Sequence, residues 1–470
     1  MIPRPRRPHA RRSPASPVRV DRRRFLAGAA AVAGAALSRP AGSASPGAPE
    51  LTGGNVRAHP PTGALASAHA GTPTPLSDLA ALARDAGGGE PLCLVDLAAL
   101  DANVATLQRF ADVHGWALRP SLAALRSPEL SGYVLGLLPE PRGLIPHLRE
   151  VGPTLDAAPH ATDLLLAHAP TADELAGFIA AGPPPGEHRV RITVDDVALL
   201  EACIVLVRDA GWDDRLEICL ELDSGMGRGG FRDPDEVAAA ARRLRDATDA
   251  VRCTALRCDD GHAAFTPADA VRRTIARDAR ARLRELQAVL FDAAGDAIDP
   301  DDLVVTGPGS SNYRNWAEGD EIDEIGPGSA LVYARYLRAG FDDEELRVAL
   351  LPAAPVLRRV GASPRVPLTG FTVPGSSREQ LLIKGGAWPD ASGTLPAMVW
   401  PEGLDDDDLH GGRGKHTGAI TAPEGALAAG DYVLLWPEQA GDAIDYFGAV
   451  TAVREGEVHA QWPTISRWGA

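Results

Sequence analysis

Five short segments carry the residues that could do chemistry. Gly307-Pro308-Gly309-Ser310-Ser311-Asn312 follows the strand-like run Leu303-Val304-Val305, and its N–H groups and hydroxyls could cradle a phosphate. A plain glycine-serine turn has the same composition, so the loop alone decides nothing. Gly225-Met226-Gly227-Arg228-Gly229-Gly230 satisfies G-x-G-x-x-G after a strand, but Phe231-Arg232-Asp233-Pro234 intervenes before the next helix. A dinucleotide fold begins that helix inside the motif, which leaves a nicotinamide oxidoreductase as a distant alternative. Gly414-Lys415 approaches a phosphate-loop pattern and fails it, with Leu409 at the first glycine position and His416 at the Ser/Thr position. Asp405 to Asp408 could meet a divalent cation, yet four adjacent acids lack the alternating spacing of a calcium loop and read as a solvated face. His262, after Asp260-Gly261, lies just beyond a strand; a lone histidine is usually structural or exposed.

A sixth segment is notable for what it lacks. Trp116 to Arg119 reads as a strand ending at Pro120, and Ser127-Pro128 reads as a cap followed by the first residue of a helix. Loops between strand and helix are where barrel enzymes keep their reactive groups. This one offers no nucleophile better than Ser121 and no acid or base.

The elements that position these loops alternate. Asp96 caps a helix whose apolar positions Leu97, Leu100, Val104, Leu107 and Ala111 recur at helical spacing, ended by Gly115. Thr154–Leu155 leads to a helix expected over 159–168, followed by helix 172–181, strand 189–194, helix 197–210, strand 216–222, helix 235–246, strand 251–256 and a long helix within 267–293. Such alternation over about 230 residues predicts a parallel sheet in an α/β fold, a (β/α)8 TIM barrel by length, followed by a C-terminal mostly-β domain. Strands at 346–360, 379–383, 432–436, 447–453 and 458–462 make up the latter. The expected domains are a signal at 1–44, a linker at 45–90, the barrel at 91–340 and the β-domain at 341–470. One helix is expected near 76–86.

The net charge of -16 over 470 residues argues against nucleic acid, which needs clustered Lys and Arg. Arg22-Arg23-Arg24-Phe25-Leu26, a small apolar run to Leu37 and Ala41-Gly42-Ser43-Ala44 read as a twin-arginine export signal, too short to anchor the mature chain in a membrane. Without the ten Arg and one Asp of residues 1–44, 37 basic and 62 acidic residues remain, a net of -25. The expected location is periplasmic or extracellular. The five cysteines show neither C-x-x-C spacing nor a zinc pattern and read as buried apolar thiols.

Taken together, the loops resemble the fold-type III pyridoxal-phosphate enzymes (those with an alanine racemase N-terminal-like barrel), and within them the D-threonine aldolases and D-serine dehydratases. Arg119 to Ser127 follows the family's R-P-H-x-K-T-x-K-S segment in register. Asp223-Ser224-Gly225-Met226-Gly227-Arg228 is similar to its D-x-G-M-G-R, and Asp260-Gly261-His262 to its D/E-G-H, with Asp259 where the family has Tyr. Gly307 to Ser311 resembles its phosphate loop and Pro327-Gly328-Ser329 the turn after it. Gly430-Asp431-Tyr432-Val433 and Trp462-Pro463 with Arg467 resemble its closing β-domain.

The resemblance implies a small-molecule ligand, a homodimer, and cofactor contacts at Arg228, His262, Gly307, Gly309, Ser310 and Ser311. It also exposes what is gone. Ala123 stands at the Schiff-base lysine, Ser121 at the neighbouring His, and Gln439 and Gly441 at the metal-ligand positions, leaving His416 as a remnant. Lys384 and Lys415 are the two lysines of the chain. The expectation is therefore a pseudoenzyme with residual phosphate-ligand binding, pyridoxal phosphate non-covalent at best and metal not retained. The alternative is an active D-amino-acid lyase using a relocated lysine.

Overall fold

The computed structural model describes residues 71–470 except 185, 213–214, 267, 318, 341–344, 361–377, 386–387, 405–407, 411–415 and 466–470. The export signal, most of the linker, Asp405 to Asp407, Gly414-Lys415 and Arg467 therefore lie outside the described residues.

Alternating inward and outward residues, short caps and glycine stops produce eight parallel strands. These are β2 (Ala117–Leu118), β3 (Arg142–Ile145), β4 (Asp163–Leu166), β5 (Arg189–Val194), β6 (Leu216–Glu221), β7 (Val251–Arg257), β8 (Val304–Thr306) and β9 (Glu324–Ile325), following a first strand β1 (Leu92–Asp96). Their order is β2-β9-β8-β7-β6-β5-β4-β3, and a parallel bridge between Ser121 and Leu144 closes the ring. Outward residues such as Leu164, Leu166, Ile192, Val194, Ile218 and Leu220 join the large core under the helices. The helices are α2 (Leu97–Val113), α3 (Pro128–Gly136), α4 (Val151–Ala157), α5 (Ala172–Ala180), α6 (Val197–Ala210), α7 (Pro234–Arg245) and α8 (Asp269–Ala294), preceded by α1 (Leu76–Gly87). Their starts follow the side-chain caps. Asp96 accepts from the N–H of Ala98 and Ala99, Ser127 from Leu130, and Asp196 from Leu199, each filling a donor the helix cannot.

The second sheet runs β13 (Leu409–His410), β14 (Thr417–Pro423), β11 (Arg378–Lys384), β10 (Leu350–Arg359), β1, β16 (Ala449–Arg454), β17 (Glu457–Pro463); β15 (Tyr432–Trp436) pairs with both β10 and β12 (Ala397–Trp400). Helix α1 buries Leu79, Ala80 and Ala83 against Leu94, Leu351, Tyr432 and Leu434 of this sheet. All five cysteines are buried and free, and burial pushes their thiols up. Among the described residues no helix is long and apolar enough to cross a membrane.

Two expectations need correction. Residues 159–168 are not a helix: Asp163–Leu166 is a strand and the helix lies earlier, over Val151–Ala157. A short run of buried leucines has no period that separates strand from helix, and here parallel pairing on both sides decides. Strand β1, counted with the barrel, belongs to the β-domain sheet, antiparallel to β10 and parallel to β16.

Candidate functional site

Inside the barrel the side chains form layers. In the lower half, fully buried Arg119 donates from Nε to Glu324 Oε2 at 2.6 Å and from Nη1 and Nη2 to Asp163 at 3.0 Å. Arg191 adds a 2.9 Å pair to Asp163, Arg142 contacts Glu324, and Thr306 donates to Glu324 at 2.9 Å. Burial works against the Glu324 carboxylate, but Arg119 and Arg142 hold its pKa down at about 2. Leu144, Leu165, Ala167, Cys219 and Ala255 form an apolar layer within the barrel.

The mouth lies at the C-terminal ends of the strands. Beyond β6 and β7, Arg257 donates to Glu221 at 2.8 Å and to Asp259 at 2.9 Å, and Arg228 donates to Asp259 at 2.7 Å. Burial alone would raise Asp259; the two guanidiniums bring it to about 2. Ser224 donates to the Asp259 carbonyl, and a Cβ on Gly261 would sit 3.3 Å from Met226 Cε, so the β6 and β7 loops are packed together. Its neighbour Asp260 is fully buried, accepting from Asn312 Nδ2 at 2.5 Å and Trp316 Nε1 at 2.8 Å. Burial pushes its carboxyl up to about 6, and Oδ1 has no hydrogen-bond partner. This link ties the β7 loop to the β8 loop. His262, on the same turn, keeps a buried Nδ1 without a partner.

After β8, Ser310 Oγ accepts from Gly328 N at 2.9 Å and Ala330 N at 3.0 Å, and it hydrogen-bonds with Tyr336. The N–H groups of Gly309, Ser310 and Ser311 have no acceptor among the described residues. Neighbouring backbone donors without acceptors are what an anion site requires. A Cβ at Gly309 would meet nothing nearer than 3.8 Å, so the approach to this loop is open.

The loop after β2 is held tightly around Ala123. A Cβ on Gly328 would come within 3.0 Å of Ser121, and one on Gly441 within 2.7 Å of the Ala123 carbonyl oxygen. Arg126 has φ 49, a left-handed conformation that costs a non-glycine residue. Its guanidinium donates to Asp445 at 2.9 Å, Glu150 at 3.3 Å and the Ile465 carbonyl at 3.1 Å, and it is only 4% exposed. It clamps barrel to β-domain and is not available for chemistry.

The structure thus gathers Arg228, His262, Gly307, Gly309, Ser310 and Ser311 on three adjacent strand ends. It adds residues the sequence did not flag: Arg257, Tyr336 and His168. His168 is exposed on the loop after β4, near Arg228 and Arg257. Burial, Arg228 and Arg257 lower its pKa to about 4. Its signal is its place two residues past the strand Asp163–Leu166, hidden when 159–168 is read as helix.

Two groups implied by the resemblance can be tested against these residues. A phosphate fits the unclaimed N–H groups at 309–311. A covalently held pyridoxal finds no amine at the mouth among the described residues: Ala123 has none, and Lys384 is paired with Glu90 on the β-domain side. Metal does not fit either. Gln439 stands at the N-cap position of α9 (Ala440–Ile444) without a capping hydrogen bond, Gly441 has no side chain, and His416 is exposed just before β14. No group of three or more His, Cys, Asp or Glu placed to hold a metal occurs among the described residues.

The family model for "alanine racemase, N-terminal domain" matches residues 147–335. Solved structures with this fold include D-threonine aldolase from Filomicrobium marinum, at 19% identity and TM-score 0.65, covering 79% of this chain and 94% of that one. D-threo-3-hydroxyaspartate dehydratase from Delftia sp. HT23 is 19% identical with TM-score 0.63, covering 80% and 98%. Alanine racemase from Bacillus anthracis is 15% identical with TM-score 0.57, covering 79% and 97%. No curated protein matches the sequence. Residues 147–335 thus match the alanine racemase N-terminal domain model, and barrel plus β-domain give this chain the fold that these solved structures share.

Proposed function

We propose that this chain is an exported relative of the D-threonine aldolases and D-serine dehydratases that has lost their catalysis and kept a phosphate-ligand site. One pairing carries the reading: unclaimed N–H groups at Gly309, Ser310 and Ser311 face the same mouth as a lysine position filled by Ala123. Pyridoxal phosphate acts as an electron sink for an amine condensed with it, and the protein's usual part is to supply, then release, a lysine. Here the loop has none. Arg126 is permanently protonated and clamped.

The test uses purified protein, pyridoxal phosphate, borohydride and mass spectrometry, alongside assays with D-threonine and D-serine. The expected result is reversible binding, no reduced adduct and no turnover. Gly309→Asp, which places a carboxylate in open space at the cradle, should abolish binding without unfolding the chain. A reduced adduct on Lys384 or Lys415 together with turnover would establish the active-lyase alternative instead. Export through residues 22–26 and assembly as a homodimer belong to the same proposal. Arg22→Lys with Arg23→Lys should strand the protein in the cytoplasm, and sedimentation should report the dimer mass.

A further inference from the structure

We infer that Asp260 is a positioning residue for the anion loop at 309–311, and that its proton sets how tightly the loop holds a dianion. The inference rests on the phosphate-site reading above and concerns the regulation of that site. Geometry carries it first. Asn312 directly follows the unclaimed N–H groups, and its side chain is fully engaged. Its Nδ2 donates to Asp260 Oδ2 at 2.5 Å and to the Arg272 carbonyl at 3.3 Å, and its Oδ1 accepts from Asn315 Nδ2 at 2.9 Å. Trp316 Nε1 donates to the same Asp260 oxygen at 2.8 Å. Asp260, Asn312 and Trp316 are at most 2% exposed. The loop is thus anchored at its end on one buried carboxylate oxygen and at its middle by Ser310 on Gly328 and Ala330.

The second observation is the company each carboxylate keeps. Asp259 is paired with Arg228 and Arg257. Asp260 has two neutral donors on Oδ2 and no partner on Oδ1. On its own loop the titratable neighbours are Cys258, Asp259 and His262. From α8 comes Arg272, whose guanidinium reaches the Thr266 carbonyl and Asp269, and from the β8 loop come Tyr313 and Arg314, the latter paired with Glu345. Burial pushes the Asp260 carboxyl up to about 6. Two effects of its ionisation oppose each other. A charged Oδ2 accepts more strongly from Asn312 and stiffens the loop, while a charge behind the loop repels an arriving anion. Both donors already point at Oδ2 and the added proton goes to the free Oδ1, so the bracket persists in either state. The repulsion exists in one state only and is little screened in buried surroundings, so it decides the sign. Protonated Asp260 favours the anion, and by reciprocity a bound anion draws a proton onto Asp260.

The experiment is a calorimetric titration of the full chain with sodium sulfate between pH ~5 and ~8, a range that spans the titration of Asp260. Sulfate keeps both its charges throughout, so a change in affinity belongs to the protein. Wild type should bind sulfate about fivefold more weakly at the upper end than at the lower. Asp260→Asn should bind at pH ~8 nearly as tightly as wild type does at pH ~5. If that variant does not fold, His262→Gln supplies the answer. With the histidine of this turn removed, sulfate binding near pH ~6.5 should still take up protons, read by repeating the titration in buffers of different ionisation enthalpy. Parallel profiles of wild type and Asp260→Asn, or no proton uptake in His262→Gln, overturn the inference and leave the anion site standing. Sulfate that binds at no pH also overturns it, and if pyridoxal phosphate fails to bind as well, the phosphate-site reading falls with it.

Discussion

The two ends of the barrel are built from similar residues and end in opposite conditions. In the lower half, Arg119, Asp163, Glu324, Arg142 and Arg191 answer one another's charges across β2, β3, β4, β5 and β9. At the mouth, the N–H groups of 309–311, Asp260 Oδ1 and His262 Nδ1 are left unanswered, and the loop after β2 is chemically bare. Arg142 Nε and Arg191 Nη1 of the lower layer also lack a hydrogen-bond partner, but both guanidiniums are ion-paired with a carboxylate. The N–H groups of 309–311 have no such partner among the described residues, and unanswered polar atoms cost stability, which separates the part that holds the fold from the part that meets a ligand.

The sharpest way to break this comparison is Arg119→Met. It takes one partner from each of two buried carboxylates, leaving Asp163 with Arg191 and Glu324 with Arg142, and removing one partner of a buried pair costs about 3–5 kcal/mol. Urea unfolding at neutral pH should show a loss of that order, or the variant should fail to accumulate in soluble form. A loss below ~1 kcal/mol would mean that the ionic layer is not what holds the strands. The Glu324 pKa, lowered to about 2, gives the matching sign in wild type: its stabilisation is complete above the ordinary glutamate value and disappears as pH falls through 2.

Asp260 tests the mouth in the opposite direction. Its folded pKa is raised to about 6, so its contribution is complete below the ordinary aspartate value and is lost as pH rises through 6. Asp260→Asn keeps an oxygen for Asn312 and Trp316 and turns an amide toward the place of the orphan Oδ1. Its stability should therefore change less between pH ~4 and ~6 than wild type does, by roughly 3 kcal/mol at most. Parallel profiles of the two proteins would remove Asp260 as the source. Asp259, one residue earlier and held at about 2 by two arginines, has the reverse sense: its stabilisation is lost only as pH falls toward 2. Adjacent carboxylates with opposite pH signatures show how closely the boundary between structural and ligand-facing groups is drawn.

Legibility in the sequence divides along a related line. Local signals were readable: the caps at Asp96 and Ser127, the 197–210 helix and the glycine-serine loop after β8 each depend on a few neighbouring residues. The lower ionic layer was not, because Arg119 meets partners 44 and 205 positions away, and no periodicity links them. His168 was lost with the misread strand at 163–166. The meaning of Ala123 came from register with a family motif, since an alanine has no chemistry to announce. Asp260 was visible as part of Asp-Gly-His, but its burial and its bracket to Asn312 and Trp316 exist only once β7 and β8 lie side by side.

The smallest expected effect is also the most direct challenge to a relocated lysine. Lys384 lies on β11 with its ammonium paired to Glu90, both partners well exposed. Exposed pairs of this kind contribute at most ~1 kcal/mol, so Lys384→Met should leave the unfolding midpoint nearly unchanged. It should equally leave binding of pyridoxal phosphate unchanged, because the elements bearing the mouth are the ends of β2 and β6 to β9. If the variant instead loses pyridoxal-phosphate binding or a borohydride-trapped adduct, the ligand site includes the β-domain sheet. The contrast between a silent lower barrel and a ligand-bearing mouth would then have to be redrawn around β11.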